Sequence, residues 1–406
     1  MKRILGSMVA VLVILSVIAP VSHTAVLADP DDFAGGDGSE SNPYQIEDWH
    51  HLDSVRGHLG DHFILMNDLD ADTDGYDDLA GPNANSNQGW QPIGGSFTGK
   101  FDGRGYEIRD LVISRPSEDN IGLFRLTTSA FIDAVGLANV QVTGSSYVGA
   151  LVGENAGTVT GCYATGSVTG AVCVGGLVGL SWATVSNSYS TCSVTGDASV
   201  GGLIGYAKWK VEDCYATGNL TGDYVGGLVG EMDSGTVTNC YATGSVTVVT
   251  GGSTAGGLIA QNYSTVSGSF WDTETTGMAT SAGGTGKTTA QMLQNATFAS
   301  WDMTAVAHSD IDPSSIWNIV DGRCYPFFGW LRMRFELKAG WNMVSVSREL
   351  PPGKNTVAEV FKGEIVAIYT WNPTTKSYVV PATVEPNCGY WVAVTEDKTI
   401  AYLMAA

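Results

Sequence analysis

Val174-Gly175-Gly176-Leu177-Val178-Gly179 is one of five near-copies of a single phrase in this chain. The others are Val148-Gly149-Ala150-Leu151-Val152-Gly153, Val200-Gly201-Gly202-Leu203-Ile204-Gly205, Val225-Gly226-Gly227-Leu228-Val229-Gly230 and Ala255-Gly256-Gly257-Leu258-Ile259-Ala260. Their central leucines are spaced by 26, 26, 25 and 30 residues. A fixed period of that length predicts a solenoid, in which each unit buries its apolar face only by stacking on its neighbours. Ile121-Gly122-Leu123-Phe124 reads as a degenerate first copy.

Each full unit holds the Gly-Leu strand, a second strand around Cys162-Tyr163-Ala164-Thr165-Gly166 or its equivalent, and a third such as Ser167-Val168-Thr169. The fold expected is therefore all-β: a right-handed parallel β-helix with three short strands per coil of about 26 residues and a rise of about 4.8 Å per coil. Gly161, Asn187, Asp213, Asn239 and Gly268 form one column, and these residue types tolerate a left-handed backbone, so a recurrent corner is expected there. Two positions on, Tyr163, Tyr189, Tyr215, Tyr241 and Phe270 predict a stack of rings along the axis. Between these columns lie Cys162, Ser188, Cys214 and Cys240. Parallel Cβ vectors on adjacent coils miss the ~3.8 Å that a disulfide prefers, so these thiols read as small core residues.

The flanks differ in character. Residues 1–28 read as a secretory signal: Lys2 and Arg3, the apolar run Met8 to Ile18, then Val26-Leu27-Ala28 for cleavage. Residues 29–42 read as a flexible acidic lead. Residues 43–281 then hold an amino-terminal cap and the β-helix, the cap being a strand, an amphipathic helix (Trp49, Leu52, Val55, Leu59, with Asp48 at its start) and a second strand by residue 66. Residues 282–332, rich in Trp and Phe, are expected to close the last coil, and 333–406 to form a small β domain.

Formal charge is −21. Both nucleic acid and an anionic membrane require clustered Lys and Arg, so neither is expected as a partner. Acid is concentrated at the amino-terminal end: residues 29–80 hold 15 Asp or Glu against the single Arg56. With no second long apolar run, no transmembrane segment is expected in the mature chain.

The residues quoted above resemble those of GLUG-motif repeat proteins of bacterial cell surfaces. The resemblance rests on Gly175 to Gly179, Gly226 to Gly230, Asn239-Cys240-Tyr241-Ala242-Thr243-Gly244, Asn42-Pro43-Tyr44-Gln45-Ile46 and Phe101-Asp102-Gly103, and covers roughly residues 35–330. It implies a pectin-lyase-like β-helix, adhesin-like stalks and neighbours of IgA-specific metallopeptidases, with no agreed activity. The segment after Met333 is similar to a small C-terminal module of other secreted bacterial proteins.

Several motifs remain to be weighed. Gly283-Gly284-Thr285-Gly286-Lys287-Thr288-Thr289 lacks the first glycine of a phosphate-binding loop, Ser281 standing there, and reads as a flexible loop with no nucleotide. His58 and His62 have zinc-peptidase spacing, but Leu59 replaces the required Glu. Asp70, Asp72, Asp74, Asp77 and Asp78 alternate around Gly75 as hard-cation ligands do. Calcium, the one cofactor the sequence raises, stands there beside the alternative of a solvated acidic loop, since Gly81 replaces the usual bidentate Glu. The ladder of Tyr163, Tyr189, Tyr215 and Tyr241 either stabilises the coil or offers rings to sugars. No catalytic residue is assigned: between residues 126 and 270 the only basic side chains are Lys208 and Lys210. The expectation is a non-catalytic secreted or cell-surface protein for adhesion or for binding glycans or proteins. The alternative is a polysaccharide lyase or glycoside hydrolase, which a wall groove with two carboxylates and an Arg or Lys would favour.

Overall fold

The computed structural model describes residues 33–249, 254–306, 312, 314–330, 333–337, 339–345, 357, 361, 365–372, 377–384, 389–395 and 398–402. Residues 1–28, expected above to be a secretory signal, and the first residues of the expected acidic lead lie outside the described residues.

Among the described residues the repeats wind into a parallel β-helix of about seven coils, with parallel sheets of 14, 12 and five strands as its sides. The register is that of the repeated phrase: Val152 pairs with Val178, Val178 with Ile204, Ile204 with Val229 and Val229 with Ile259. Phe124 pairs with Val152, which makes the degenerate copy a true coil. The leucines stand in file. Leu151 N–H donates to Leu177 O at 2.9 Å, Leu177 to Leu203 at 3.0 Å, Leu203 to Leu228 at 2.9 Å and Leu228 to Leu258 at 2.8 Å. All five side chains are fully buried.

The Gly-Gly pair has a steric cause and not a conformational one. A Cβ on Gly201 would lie 1.9 Å from Ile204 O, and one on Gly202 would lie 2.3 Å from Gly227 O of the next coil. The left-handed corner is present at every coil, with φ of 61° at Gly161, 48° at Asn187, 50° at Asp213, 52° at Asn239 and 54° at Gly268. Next to it the thiols of Cys162, Cys214 and Cys240 are buried and unlinked. Where serine replaces cysteine the hydroxyl finds an acceptor, Ser188 Oγ donating to Ser186 O at 2.7 Å. A buried hydroxyl without that partner would be costly.

The amino-terminal cap forms as the apolar spacing requires. Strands Tyr44–Ile46 and His62–Leu65 pair in parallel and flank the helix Trp49–Ser54, whose first turn is capped by Asp48 Oδ1 accepting from His51 N at 2.8 Å. Trp49, Phe63, Trp90, Phe97, Phe101 and Phe124 fill this end of the core, where the repeat coils use Leu, Val, Ile and Cys. Leu59 lies beyond the helix, because a tight turn at Val55–Gly57 ends it.

Two features of the carboxyl-terminal side depart from expectation. Thr285–Lys287, read above as part of a flexible loop, is a strand paired with Phe270–Asp272, and Gly286 lies against the Trp271 indole. The segment after it does more than close the last coil. It runs back along the wall, placing Phe298, Trp301, Trp317 and Phe328 against Tyr189, Tyr215 and Tyr241. The tyrosine column is an apolar stripe on the coil's outer face, and covering it removes that stripe from water. Beyond it, an antiparallel sheet of Gly340–Ser345, Gly389–Val394, Ala367–Asn372 and Ser377–Val379 packs a small core that includes Val344, Phe361, Ile368, Tyr390 and Val392. No helix among the described residues is long and apolar enough to cross a membrane.

Candidate functional site

The tyrosine rings do stack. Centroids of Tyr163, Tyr189, Tyr215 and Tyr241 follow one another at 4.9, 4.7 and 5.0 Å, with planes within 6° of parallel. Their faces meet each other, and the closing segment covers the outer edges of the last three, which are buried. Tyr241 Oη donates to Pro326 O at 2.7 Å. Burial raises the phenol pKa of Tyr189 and Tyr241 well above the ordinary value. Of the four candidate ligand residues, Tyr163 and the rim of Tyr189 reach open space.

That space exists because the column stops. The position before Tyr163 is Gly136, and before Gly136 it is Glu107. With no side chain at Gly136, the Tyr163 ring leans over it and its hydroxyl bonds to the Glu107 carboxylate. The result is a cleft of about 940 Å³ lined by the rings of Tyr163, Tyr189 and Trp330 together with polar residues that include Arg104, Asp133, Thr160, Thr165 and Asn187. Aromatic rings mixed with polar groups suit a ligand with both apolar faces and hydroxyls.

The charges in the cleft are unequal in availability. Glu107 also forms an ion pair with Arg109, whose Nε lies 2.8 Å from its carboxylate, and Arg109 in turn reaches Asp68 at 2.8 Å, so this carboxylate is already engaged. Asp133 is half-buried, and burial, then the neighbouring Asp102 carboxylate, pushes its pKa up. Asp102 pairs in register with Asp133 on the next coil and accepts from Arg104 N at 2.8 Å. The cleft thus holds one carboxyl biased towards its protonated form, and the exposed Arg104, whose guanidinium lies against Met66 Sδ at 3.6 Å, is among its other lining residues.

The proposed cation loop is arranged differently. Asp70 Oδ1 accepts from Asp72 N at 3.0 Å and from Thr73 Oγ1 at 2.9 Å, and Asp74 Oδ1 accepts from Gly75 N at 3.1 Å. Asp77 and Asp78 lie in the helical turn Tyr76–Ala80 that follows. Among the described residues no three His, Cys, Asp or Glu side chains gather into a group that could hold a metal ion. His58, the zinc-spaced histidine, pairs with Asp61 at 3.0 Å.

Arg104, Glu107 and Asp133 carry no sequence signal, because they sit in irregular coils before the regular repeats and only the winding of the chain brings them together. Trp182 and Trp209 also went unassigned. Both are exposed, at 46% and 59%. Their signal was available: each lies just past a Gly-Leu-(Val/Ile)-Gly phrase, where the chain turns outward.

The GLUG motif family matches at residues 144–169, 196–221 and 222–247. The coil 170–195 between them shares their register. A protein of Evansella cellulosilytica named "Putative Gly-rich membrane protein" is 38% identical over 175 residues, covering 39% of this chain and 19% of that protein. Halomucin of Haloquadratum walsbyi is 32% identical over 142 residues, covering 32% of this chain and 2% of its own length. This chain thus spans less than a fifth of either relative. A crystal structure described as "a putative immunoglobulin A1 protease from Bacteroides ovatus" superposes with a TM-score of 0.55 at 22% identity, covering 74% of this chain and 96% of that one, and it shares the fold.

Proposed function

We propose that this chain, a GLUG-repeat β-helix protein, works outside the cell or on its surface as a non-catalytic binding protein whose ligands are glycans. The observation that carries the reading is the cleft at the end of the tyrosine ladder, which Tyr163 and Trp330 line together with Arg104, Asp133 and Asn187. Flat rings take the apolar faces of sugar rings, and the polar wall takes their hydroxyls. The engagement of Glu107 with Arg109 and Tyr163 supports binding over chemistry, since it removes one carboxylate from acid–base work. The secretory reading of residues 1–28 supports the location, and so does the name of the Evansella relative. The test is a glycan-binding screen run beside an assay for newly reducing or unsaturated sugar ends. Binding without new ends supports the proposal, and new ends overturn it.

One specific observation favours the second reading, a polysaccharide-degrading enzyme. Asp133, held towards its protonated form by burial and by the Asp102 carboxylate, has the character of a general acid. On that reading Asp133→Asn abolishes the release of sugar ends while leaving binding in place.

A further inference from the structure

We infer that the slot between Trp182 and Trp209 is a separate site for one neutral sugar ring. It lies on another part of the coil wall from the cleft and shares with the proposal above only the class of ligand. Three observations carry it.

The first is rigidity at an exposed aromatic. Trp182 is 46% exposed, yet its Nε1 donates to Glu154 Oε1 at 3.0 Å and the Lys208 ammonium sits 4.6 Å from its ring centroid. Lys208 is itself held by Asp233 at 3.2 Å. A ring fixed before the ligand arrives loses little side-chain freedom on binding.

The second is shape. Trp182 and Trp209 line, with Ser129, Gly157, Thr158 and Thr184, a shallow open slot of about 290 Å³. That volume is just under the range of about 300 to 1,000 Å³ usual for ligand sites, as suits a single sugar ring. The strands that carry these residues are tied by a buried polar ladder, Thr127 Oγ1 donating to Asn155 Oδ1 at 2.7 Å and Asn155 Nδ2 to Ser181 Oγ at 3.0 Å.

The third is charge. The charged groups around Trp182 already have partners, Glu154 the indole and Lys208 the Asp233 carboxylate. The slot itself presents hydroxyls, backbone and two indoles, which favours a polyhydroxylated ligand without charge.

The experiment titrates the full chain with neutral hexaoses (cellohexaose, maltohexaose, mannohexaose) and with trigalacturonate, followed by tryptophan fluorescence. The variants are Trp209→Ala, Trp182→Phe and Trp330→Ala, each checked for an unchanged melting temperature. Trp182→Phe keeps a ring on the wall, so it guards against loss of local structure. Expected are saturable binding of at least one neutral hexaose, at least a tenfold loss in Trp209→Ala, a smaller loss in Trp182→Phe, and weaker binding of trigalacturonate. Binding lost in Trp330→Ala and untouched in Trp209→Ala overturns the slot and leaves the cleft reading standing. The reverse supports the slot and removes the cleft. No binding by any neutral hexaose, or tighter binding of the uronate, also overturns the slot.

Discussion

Trp317 Nε1 donates to Asp213 Oδ1 at 3.0 Å across 104 residues of chain, clipping the closing segment to a corner of the coil. Asp213 also accepts from Asn239 Nδ2 at 3.2 Å and is 7% exposed. Burial raises its pKa, and the bonds from Trp317 and Asn239 offset part of that rise. A carboxyl whose folded value lies above 3.8 holds its proton more tightly folded than unfolded, so it favours folding as pH falls through that window and costs stability above it. Asp213→Asn keeps an acceptor and a side chain suited to the left-handed corner while removing the buried charge. We expect a higher melting temperature at pH 7 and a flatter acid dependence. Asp213→Leu strands two donors and should cost about 1–3 kcal/mol for each. Equal losses in the two variants would contradict this role for the carboxylate.

Leu203 is fully buried midway along the leucine file. Leu203→Ala leaves a cavity bounded by neighbouring coils, and truncations of this kind cost about 3–5 kcal/mol. Denaturant titration checks it, and a loss below about 1 kcal/mol, typical of a surface change, would contradict the dry common interior.

Glycine position separates close packing from mere turn preference. A Cβ on Gly218 would lie 1.8 Å from Cys192 O, whereas the nearest atom to one on Gly60 is Thr98 Oγ1 at 3.7 Å. Gly218→Ala should lose about 1–3 kcal/mol or more through forced backbone shifts. Gly60→Ala should stay within about 0.5 kcal/mol. Thermal melts of the pair give the comparison, and similar melting temperatures would show that the coils are not in tight contact.

The chain has seven cysteines, six of them described and all six buried without a disulfide. Burial pushes the thiols of Cys162 and Cys192 up to about 12 and that of Cys173 to about 11. Since the thiolate is the reactive form, these groups should resist a disulfide reagent at pH 8 until the chain unfolds. Their raised constants also make stability fall as pH climbs from 9 towards the folded values, because only the unfolded thiols ionise there. At most one thiol, Cys388, should react in the native protein, with the other six appearing together on unfolding. Staggered release of several thiols under native conditions would count against a single packed core.

The coil was legible because each of its constraints is local and repeated. Leu177, Asn187 and Tyr189 recur at one period, and each residue type has a physical reason to stand where it does. Thr285–Lys287 was not legible: its glycines signal a loop, and the strand exists only because Phe270–Asp272 offers an edge. The cleft was hidden for a related reason. Glu107 and Gly136 occupy the tyrosine column without being tyrosine, in coils whose register is broken by irregularities such as that between Ala164 and Gly166. In the 70–78 loop spacing shows which aspartates alternate but not that Asp70 and Asp74 accept from their own loop's backbone.

The most direct test of the binding account measures affinity and bond cleavage on one glycan in one sample. For a glycan recovered by the screen, we predict saturable binding that falls at least tenfold in Trp330→Ala and Arg104→Ala, with no new reducing or unsaturated ends after prolonged incubation. Ends that accumulate with the intact chain and vanish in Asp133→Asn would contradict it.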